Sequence, residues 1–163
     1  MRLPPPRQPG RYAVAVVCLG NICRSPTAEV VLADRLAAAG LDDRVSVHSS
    51  GTGDWHVGEP MDPRAAAALG EAGYDPSHHR ARQYDDSWAE THDLVLAMDA
   101  ANLADLGGRS ERVAMFGDFD PVEPGAEVPD PWYGGPDGFR DVLARVERTA
   151  ESLVSQLAAL LAA

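Results

Sequence analysis

At 163 residues, with 45 % hydrophobic and 24 % charged side chains, the chain has the size and composition of one globular domain. Its formal net charge of −11 argues against general binding to nucleic acids or to anionic membranes. Both of its cysteines lie within one short segment, which argues against a secreted fold held together by disulfides.

The chain begins with a proline-rich segment that lacks a long apolar run. Residues 1–11 are therefore predicted to form a flexible lead-in rather than a signal peptide, and residues 12–163 to form the domain. Residues 153–163 are apolar but too few to span a bilayer. We expect a cytoplasmic protein, monomeric or weakly dimeric, with secretion by a route without a signal peptide left open.

The apolar pattern predicts alternating strands and helices. In chain order these are a strand over residues 13–17, a helix over 26–39, a strand over 44–48, helices over 62–72 and 87–90, a strand over 93–98, a helix over 100–106, a strand over 112–116 and a helix over 139–161. This alternation is typical of a parallel sheet with helices on both faces. Residues 118–137, rich in proline and glycine, are predicted to form a long irregular loop, which in a compact domain usually has a function.

The first predicted strand leads into residues 18–25, CLGNICRS, just before a predicted helix. Gly20 and Asn21 tolerate the positive φ that a tight turn needs. Ser25 and Pro26 suit the N-cap and first position of a helix, whose N-terminus attracts anions. The segment is therefore predicted to wrap its backbone N–H groups around a tetrahedral oxyanion. The alternative is a buried structural cysteine beside a surface arginine.

The residue types in this segment favour phosphoryl transfer to sulfur. Thiolate is the nucleophilic form of cysteine, and a helix N-terminus and an arginine beside Cys18 both favour it. Arg24 offers two parallel N–H donors to two phosphoryl oxygens. The reaction also needs an acid from a separate loop to protonate the leaving oxygen, and Asp130 in the predicted long loop fits. By itself, an Asp-Pro-aromatic sequence indicates only a turn.

Two segments together resemble one known family. Residues 18–29, CLGNICRSPTAE, and residues 130–133, DPWY, are similar to the low-molecular-weight protein tyrosine phosphatases. Five shorter segments follow the order of that family: Ser50-Gly51-Thr52, Trp55-His56-Val57-Gly58, Asp62-Pro63-Arg64-Ala65, His79-Arg80-Ala81-Arg82-Gln83 and Met98-Asp99. The expected fold is α/β, a single doubly wound four-stranded parallel sheet of flavodoxin-like order flanked by helices.

The resemblance implies a role for each site residue. Cys18 would form a phosphocysteine, Arg24 would bind the phosphoryl oxygens, and Asp130 would protonate the leaving phenolate and then activate water. His79 would support the loop through Asn21, and Ser25 would hydrogen-bond to the Cys18 thiolate. The other residues expected to bind the phosphate or to form the walls around the phosphotyrosine ring are Leu19, Gly20, Asn21, Ile22, Cys23, Ser25, Trp55, Trp132 and Tyr133. The resemblance implies a phosphotyrosine-containing protein substrate and no cofactor or metal.

Several alternatives stay open. An arsenate reductase of the same fold would need a small-thiol partner, because the chain has no distant cysteine. A protein-arginine phosphatase is disfavoured by Ile22, where that branch tends to have threonine. A non-catalytic phosphotyrosine-binding module would need neither Cys18 nor Asp130.

Other conspicuous residues are interpreted as structural. One Cys-x4-Cys pair gives poor support for zinc, whereas a reversible Cys18–Cys23 disulfide that protects the nucleophile is a plausible hypothesis. Residues interpreted as surface, structural or packing groups are His48, His56, His78, His92 and Trp88.

Overall fold

The computed structural model describes residues 2–132 and 134–162. Its strands are β1 (Tyr12–Cys18), β2 (Val45–Gly51), β3 (Leu94–Ala97) and β4 (Val113–Met115). Its α-helices are α1 (Arg24–Ala38), α2 (Pro63–Glu71), α3 (Trp88–Thr91), α4 (Ala100–Asp105) and α5 (Pro136–Leu161), and a 3₁₀ turn covers Phe116–Phe119. Each predicted strand and helix is present, and their ends differ by a few residues.

The four strands form one parallel sheet in the order β2-β1-β3-β4. This order confirms the predicted doubly wound sheet, since β1 lies inside it and its two neighbours are reached in opposite directions. Val14 and Val16 on β1 face the larger core, whereas Ala15 and Val17 face a smaller one on the other side. Burial on both faces explains why this strand is an unbroken apolar run.

The helices divide between the two faces of the sheet. The larger core joins β1 to α1, α2 and α5, and α5 contributes Val146, Leu153 and Leu157, which are fully buried. The smaller core is covered by α3 and α4 through Trp88 and Leu103. With both faces covered, the accessible part of the sheet is the edge where its strands end.

Two boundaries differ from the prediction for identifiable reasons. Strand β2 continues through Ser49 and Ser50 to Gly51, although its apolar pattern stops earlier, because those serines are buried beside the end of β1. Helix α5 begins at Pro136, before the predicted start at residue 139, because proline suits the first turn without being part of the apolar stripe.

The described part of the lead-in contacts the amino ends of the strands. The Tyr12 hydroxyl donates to the Pro4 carbonyl over 3.0 Å, and the Arg7 backbone N–H donates to Asp93 Oδ1 over 2.7 Å. Flexibility of residues 1–11 stays a prediction. In the described ranges, no helix is both long and apolar enough to cross a membrane.

Candidate active site

Residues 18–25, called the phosphate loop below, connect the end of β1 to α1. The loop lies at the carboxyl edge of the sheet, where ligands bind in doubly wound folds. Asn21 has φ +57°, and it is the one non-glycine residue with positive φ in the described ranges. Gly20, which also tolerates positive φ, does not adopt it. A Cβ at Gly20 would lie 3.1 Å from His56 Cδ2, so a larger residue would require the His56 ring to shift.

The Asn21 side chain is the centre of the loop's hydrogen bonds. It is fully buried, and its Nδ2 donates to Ser25 Oγ at 2.9 Å and to Ser49 Oγ at 3.0 Å. Its Oδ1 accepts from the Arg82 backbone N–H at 3.0 Å. Its carbonyl lies 2.6 Å from His79 Nε2, which carries the proton because a carbonyl only accepts. These bonds fix the loop from two other segments of the chain, strand β2 and residues 79–82.

The Ser25 hydroxyl faces the cysteine instead of capping the helix. Helix α1 begins at Arg24, and no side chain caps it, so the predicted N-cap at Ser25 is wrong. Ser25 Oγ lies 2.9 Å from Cys18 Sγ, and this contact replaces the cap. The Asn21 backbone N–H donates to the same sulfur at 3.3 Å. Two polar groups that can stabilise a thiolate therefore contact the sulfur.

Arg24 is buried and held by one of its terminal nitrogens. Its Nη1 donates to Asp99 Oδ2 at 2.6 Å and to the Val128 carbonyl at 3.0 Å. Asp99 in turn caps α4 by accepting from the Asn102 N–H at 2.7 Å. In the described ranges, Nη2 and Nε make no hydrogen bond, which leaves two donors for phosphoryl oxygens. Asp99 was given no role from the sequence, although its place just after β3 was a signal.

Asp130, in the loop that precedes α5, lies close to the guanidinium group of Arg24. Its Oδ2 lies 3.8 Å from Arg24 Nη2, and its Oδ1 accepts from the Trp132 N–H at 3.0 Å. Its side chain is 46 % exposed, whereas that of Arg24 is 4 % exposed. The acid candidate is therefore open to solvent and close to the anion donors.

These groups meet in one cavity of about 400 Å³. The cavity is lined by Cys18, Leu19, Gly20, Ile22, Cys23, Arg24, Trp55, His56, Asp130 and Trp132. Asn21, Ser25 and His79 lie behind it, as supports of the loop. Tyr133, expected as a wall, lies outside the described residues. His56 lines the cavity with its ring centre 5.9 Å from that of Trp132, so sequence reasoning missed its position in the site.

Arg64 is a second residue that sequence reasoning missed. Its Nη1 donates to the Trp132 carbonyl at 2.9 Å. Its guanidinium carbon lies 5.2 Å from the centre of the Trp132 ring and 4.7 Å from that of Phe139. Asp62 orients the Arg64 guanidinium, because its Oδ2 accepts a hydrogen bond from Nη2 at 3.0 Å. The backbone N–H of Asp62 donates to the Ile22 carbonyl at 2.9 Å. One chain of contacts thus joins the phosphate loop to the segment that carries Asp130.

Burial and hydrogen bonds set the protonation of three supporting groups. Burial lowers the pKa of His79, although the bond to Asn21 opposes this, so the neutral ring is favoured. Burial raises the pKa of the Cys23 thiol, and negative charge on Asp62 and Cys18 raises it further. Burial alone would raise the pKa of Asp62, but hydrogen bonds from Arg64 hold it below its ordinary value.

The remaining residues give three further observations. Both cysteines are free and buried, so the reversible disulfide stays a prediction. Trp88 lines none of the active-site cavity and packs its ring on His92, with centres 4.8 Å apart. Among residues 2–132 and 134–162, no three His, Cys, Asp or Glu side chains are grouped so as to hold a metal ion.

Comparison with known proteins identifies relatives of the whole domain. The family model "Low molecular weight phosphotyrosine protein phosphatase" matches residues 13–162. A low molecular weight protein-tyrosine-phosphatase of Streptomyces coelicolor is 43 % identical over 152 residues, which cover 88 % of this chain and 92 % of the relative. A low molecular weight protein-tyrosine phosphatase A of Mycobacterium tuberculosis is 43 % identical over 145 residues, covering 86 % of this chain and 88 % of that protein.

Solved structures agree with the sequence comparison. The crystal structure of a protein tyrosine phosphatase from Entamoeba histolytica superposes with a TM-score of 0.84 at 32 % identity, covering 90 % of this chain and 96 % of that one. The range matched by the family model, residues 13–162, includes nearly all of the sheet, the phosphate loop and Asp130. With this arrangement of cysteine, arginine and aspartate at the end of a doubly wound sheet, the chain belongs to the low molecular weight phosphotyrosine protein phosphatase family.

Proposed function

We propose that this cavity hydrolyses phosphotyrosine in two steps through a phosphocysteine at Cys18. The observation that carries the proposal is that Cys18, Arg24 and Asp130 line one cavity whose rim includes two tryptophans. The proposed substrate is a phosphotyrosine-containing protein. A cytoplasmic location and a monomeric or weakly dimeric state stay predictions.

The first step transfers the phosphoryl group to sulfur. The backbone N–H groups of the phosphate loop and the two free donors of Arg24 hold the phosphoryl oxygens. The Cys18 thiolate attacks phosphorus, so that a sulfur–phosphorus bond forms and the bond to the tyrosine oxygen breaks. Asp130 gives its proton to that oxygen and becomes a carboxylate, so that a neutral phenol leaves.

The second step returns the enzyme to its starting state. The Asp130 carboxylate takes a proton from water as the water oxygen attacks phosphorus. The sulfur–phosphorus bond breaks, inorganic phosphate leaves and the Cys18 thiolate is restored. Because the first step needs Cys18 ionised and Asp130 protonated, we expect a bell-shaped dependence of kcat/KM on pH with a mildly acidic optimum.

The shape of the cavity favours an aryl phosphate over an alkyl phosphate. Trp55 and Trp132 are 68 % and 38 % exposed at the rim, while Cys18 is 3 % exposed at the floor. A substrate must therefore span from the rim to the sulfur, and a tyrosine ring is long and flat enough to pack between the walls. A phosphoserine side chain is too short to do so.

The test is hydrolysis of p-nitrophenyl phosphate and of a phosphotyrosyl peptide in the presence of EDTA. Acid quench of a reaction with ³²P-labelled substrate should give label on the peptide that contains Cys18. Cys18→Ser should lower turnover by about 10⁴-fold or more and give no label, yet still bind phosphate. Cys23→Ser is the matched control, and it should still accumulate label because Cys23 stays protonated.

Two results would contradict the proposal. Arsenate-dependent consumption of a small thiol without phosphate release would favour an arsenate reductase of the same fold. Binding of the phosphopeptide without any turnover or label would favour a binding module.

A further inference from the structure

A second cavity, of about 410 Å³, opens beside the active-site cavity. Leu19 and Trp55 line both cavities, so their side chains form a shared wall. The ring of Trp55 lies directly on the backbone at Gly53, where any Cβ would overlap it. This packing fixes the ring even though Trp55 is largely exposed.

The second cavity combines aromatic and acidic groups. Its lining includes Tyr84, Asp86 and Asp105. In the described ranges, neither carboxylate has a hydrogen bond or an ion pair, unlike Asp99 and Asp62, which are each bonded to an arginine. No arginine lines the cavity, and the chain contains no lysine, so the negative charge is not balanced from within.

Two further observations concern the polar groups of the cavity wall. Burial raises the pKa of the Tyr84 hydroxyl, and the negative charges of Asp86 and Asp85 raise it further. Thr52 also lines the cavity, and its hydroxyl has no hydrogen-bond partner among the described residues. The wall therefore holds an unsatisfied polar group as well as two unpaired carboxylates.

We propose that this cavity binds a basic side chain of the protein substrate, above all arginine, next to the phosphotyrosine. A guanidinium group can lie on an aromatic face and donate in parallel to a carboxylate, while its methylene stem packs on apolar side chains such as Leu19. Because the two cavities share a wall, an anionic phosphotyrosine and a cationic neighbour can be bound at once. The inference rests on the proposed function, since the phosphotyrosine places the basic residue.

The expected preference is modest and sensitive to salt. Ion pairs at exposed carboxylates are weak individually and are screened within about 10 Å at 0.1 M salt. Two carboxylates and an aromatic face together should give about a fivefold preference. The preference should shrink towards unity in 1 M NaCl.

The experiment uses a set of phosphotyrosyl peptides that differ in one residue. Arginine, alanine or glutamate is placed in turn at each flanking position near the phosphotyrosine, and kcat/KM is measured with the full chain. In at least one position, kcat/KM for the arginine peptide should be about fivefold higher than for the alanine peptide. At that position, kcat/KM for the glutamate peptide should be lower than for the alanine peptide. In the Asp86→Asn/Asp105→Asn double variant, the arginine-to-alanine ratio should fall to about one.

Asp42→Asn/Asp43→Asn is the matched control. It removes the same charge from exposed positions at the opposite, amino edge of the sheet, and it should keep the ratio of the wild type. The thermal midpoint of each variant shows that it is folded.

Three results would overturn the inference. These are the absence of an arginine preference at every position, its persistence in the Asp86/Asp105 variant, or an equal loss in the control, which would indicate general electrostatics. If wild-type protein hydrolyses p-nitrophenyl phosphate and the alanine peptide, any of these results rejects the binding role of the second cavity and leaves the proposed function intact. If wild-type protein hydrolyses nothing, the proposed function fails and this inference fails with it.

Discussion

The phosphate loop and the segment around Asp130 supply the two halves of the proposed chemistry, and they are held in opposite ways. Most of the phosphate loop is buried, with Leu19 exposed, and Asn21 connects the loop to Ser49, His79 and Arg82 through side-chain and backbone hydrogen bonds. In the segment around Asp130, the side chains of Asp130 and Trp132 are exposed, and Arg64 reaches the segment by one hydrogen bond to the Trp132 carbonyl and by packing on that ring. Two residues before Asp130, the buried Val128 is fixed by backbone hydrogen bonds to Arg24 and Met98.

The difference corresponds to two different tasks. Donors to the phosphoryl oxygens act on charge that is present throughout the reaction, so a rigid set of donors gives the largest stabilisation. The acid must meet a leaving oxygen and then a water molecule, and a side chain that is exposed to solvent can serve both. We therefore expect changes in the phosphate loop to alter phosphate binding, and changes near Asp130 to alter the dependence on the leaving group.

The largest effect is expected from Arg24→Lys. Lysine keeps a positive charge for Asp99 but loses the planar pair of donors, so kcat/KM should fall by about 100- to 1000-fold. The inhibition constant of inorganic phosphate should rise as well, because the same donors bind the product. Steady-state kinetics with phosphate as inhibitor measures both. Loss of rate with unchanged phosphate inhibition would contradict the role given to Arg24.

The next largest effect is expected from Asp130→Asn, which removes the proton donor but keeps the shape. A general acid contributes roughly 10²–10⁴-fold, so hydrolysis of a phosphotyrosyl peptide should fall by about 100-fold or more. For aryl phosphates whose leaving phenols are more acidic, the loss of kcat/KM should be progressively smaller, because these phenols need less protonation to leave. A plot of log kcat/KM against phenol acidity measures this, with Asp137→Asn, an exposed carboxylate at the start of α5, as control. An equal loss for every leaving group would remove Asp130 as the acid.

The same contrast explains how much of the site the sequence revealed. The phosphate loop is contiguous, so its cysteine, arginine and turn residues are visible as one pattern, and the apolar runs on either side predict the sheet that positions it. Asp130 lies far along the chain, and its assignment depended on pairing its loop with the Cys18 segment, since Asp-Pro-aromatic alone indicates a turn.

The residues that escaped prediction act through contacts that only the fold creates. Asp99 meets Arg24, and Arg64 meets Trp132, across long separations in the sequence. Ser25 is a mixed case: the helix cap predicted from its residue type is absent, whereas the contact with Cys18 that the family resemblance implied is present, together with a hydrogen bond from Asn21. At Ser25, the general preference of serine for helix N-caps is therefore overridden by a buried hydrogen-bond network.

A smaller effect is expected from Arg64→Met, which tests how the Asp130 segment is held. Methionine removes the bond to the Trp132 carbonyl but keeps an apolar stem, so kcat/KM for the phosphotyrosyl peptide should fall about tenfold through misplacement of the acid. Inhibition by inorganic phosphate should stay close to that of the wild type. Arg140→Met is the control, since Arg140 is exposed and pairs with Glu71 and Asp137. A large change in phosphate inhibition would show that Arg64 supports the phosphate loop instead.

The smallest expected effect is on the free energy of unfolding. It should depend on pH through His79, which supports the phosphate loop, and not through Arg64, which contacts the segment around Asp130. Because burial lowers the pKa of His79 in the folded chain, the unfolded chain binds more protons once the pH falls below about 6.5. The stabilising contribution of the neutral ring is therefore fully present above that pH and is lost as the pH falls through the folded pKa. The guanidinium of Arg64, which holds the other region, does not titrate in this range.

Urea denaturation between pH 7 and pH 5 measures this contribution. The free energy of unfolding should decline as the pH falls, with further contributions from His48 and His92, whose pKa values burial also lowers. His79→Gln keeps a donor for the Asn21 carbonyl but cannot titrate, so its decline should be shallower. His78→Gln, at the neighbouring and highly exposed histidine, should decline like the wild type. If the free energy of unfolding declined equally with pH in His79→Gln and in the wild type, His79 would contribute nothing to the acid sensitivity. The phosphate loop would then be supported as independently of pH as the Arg64 contact.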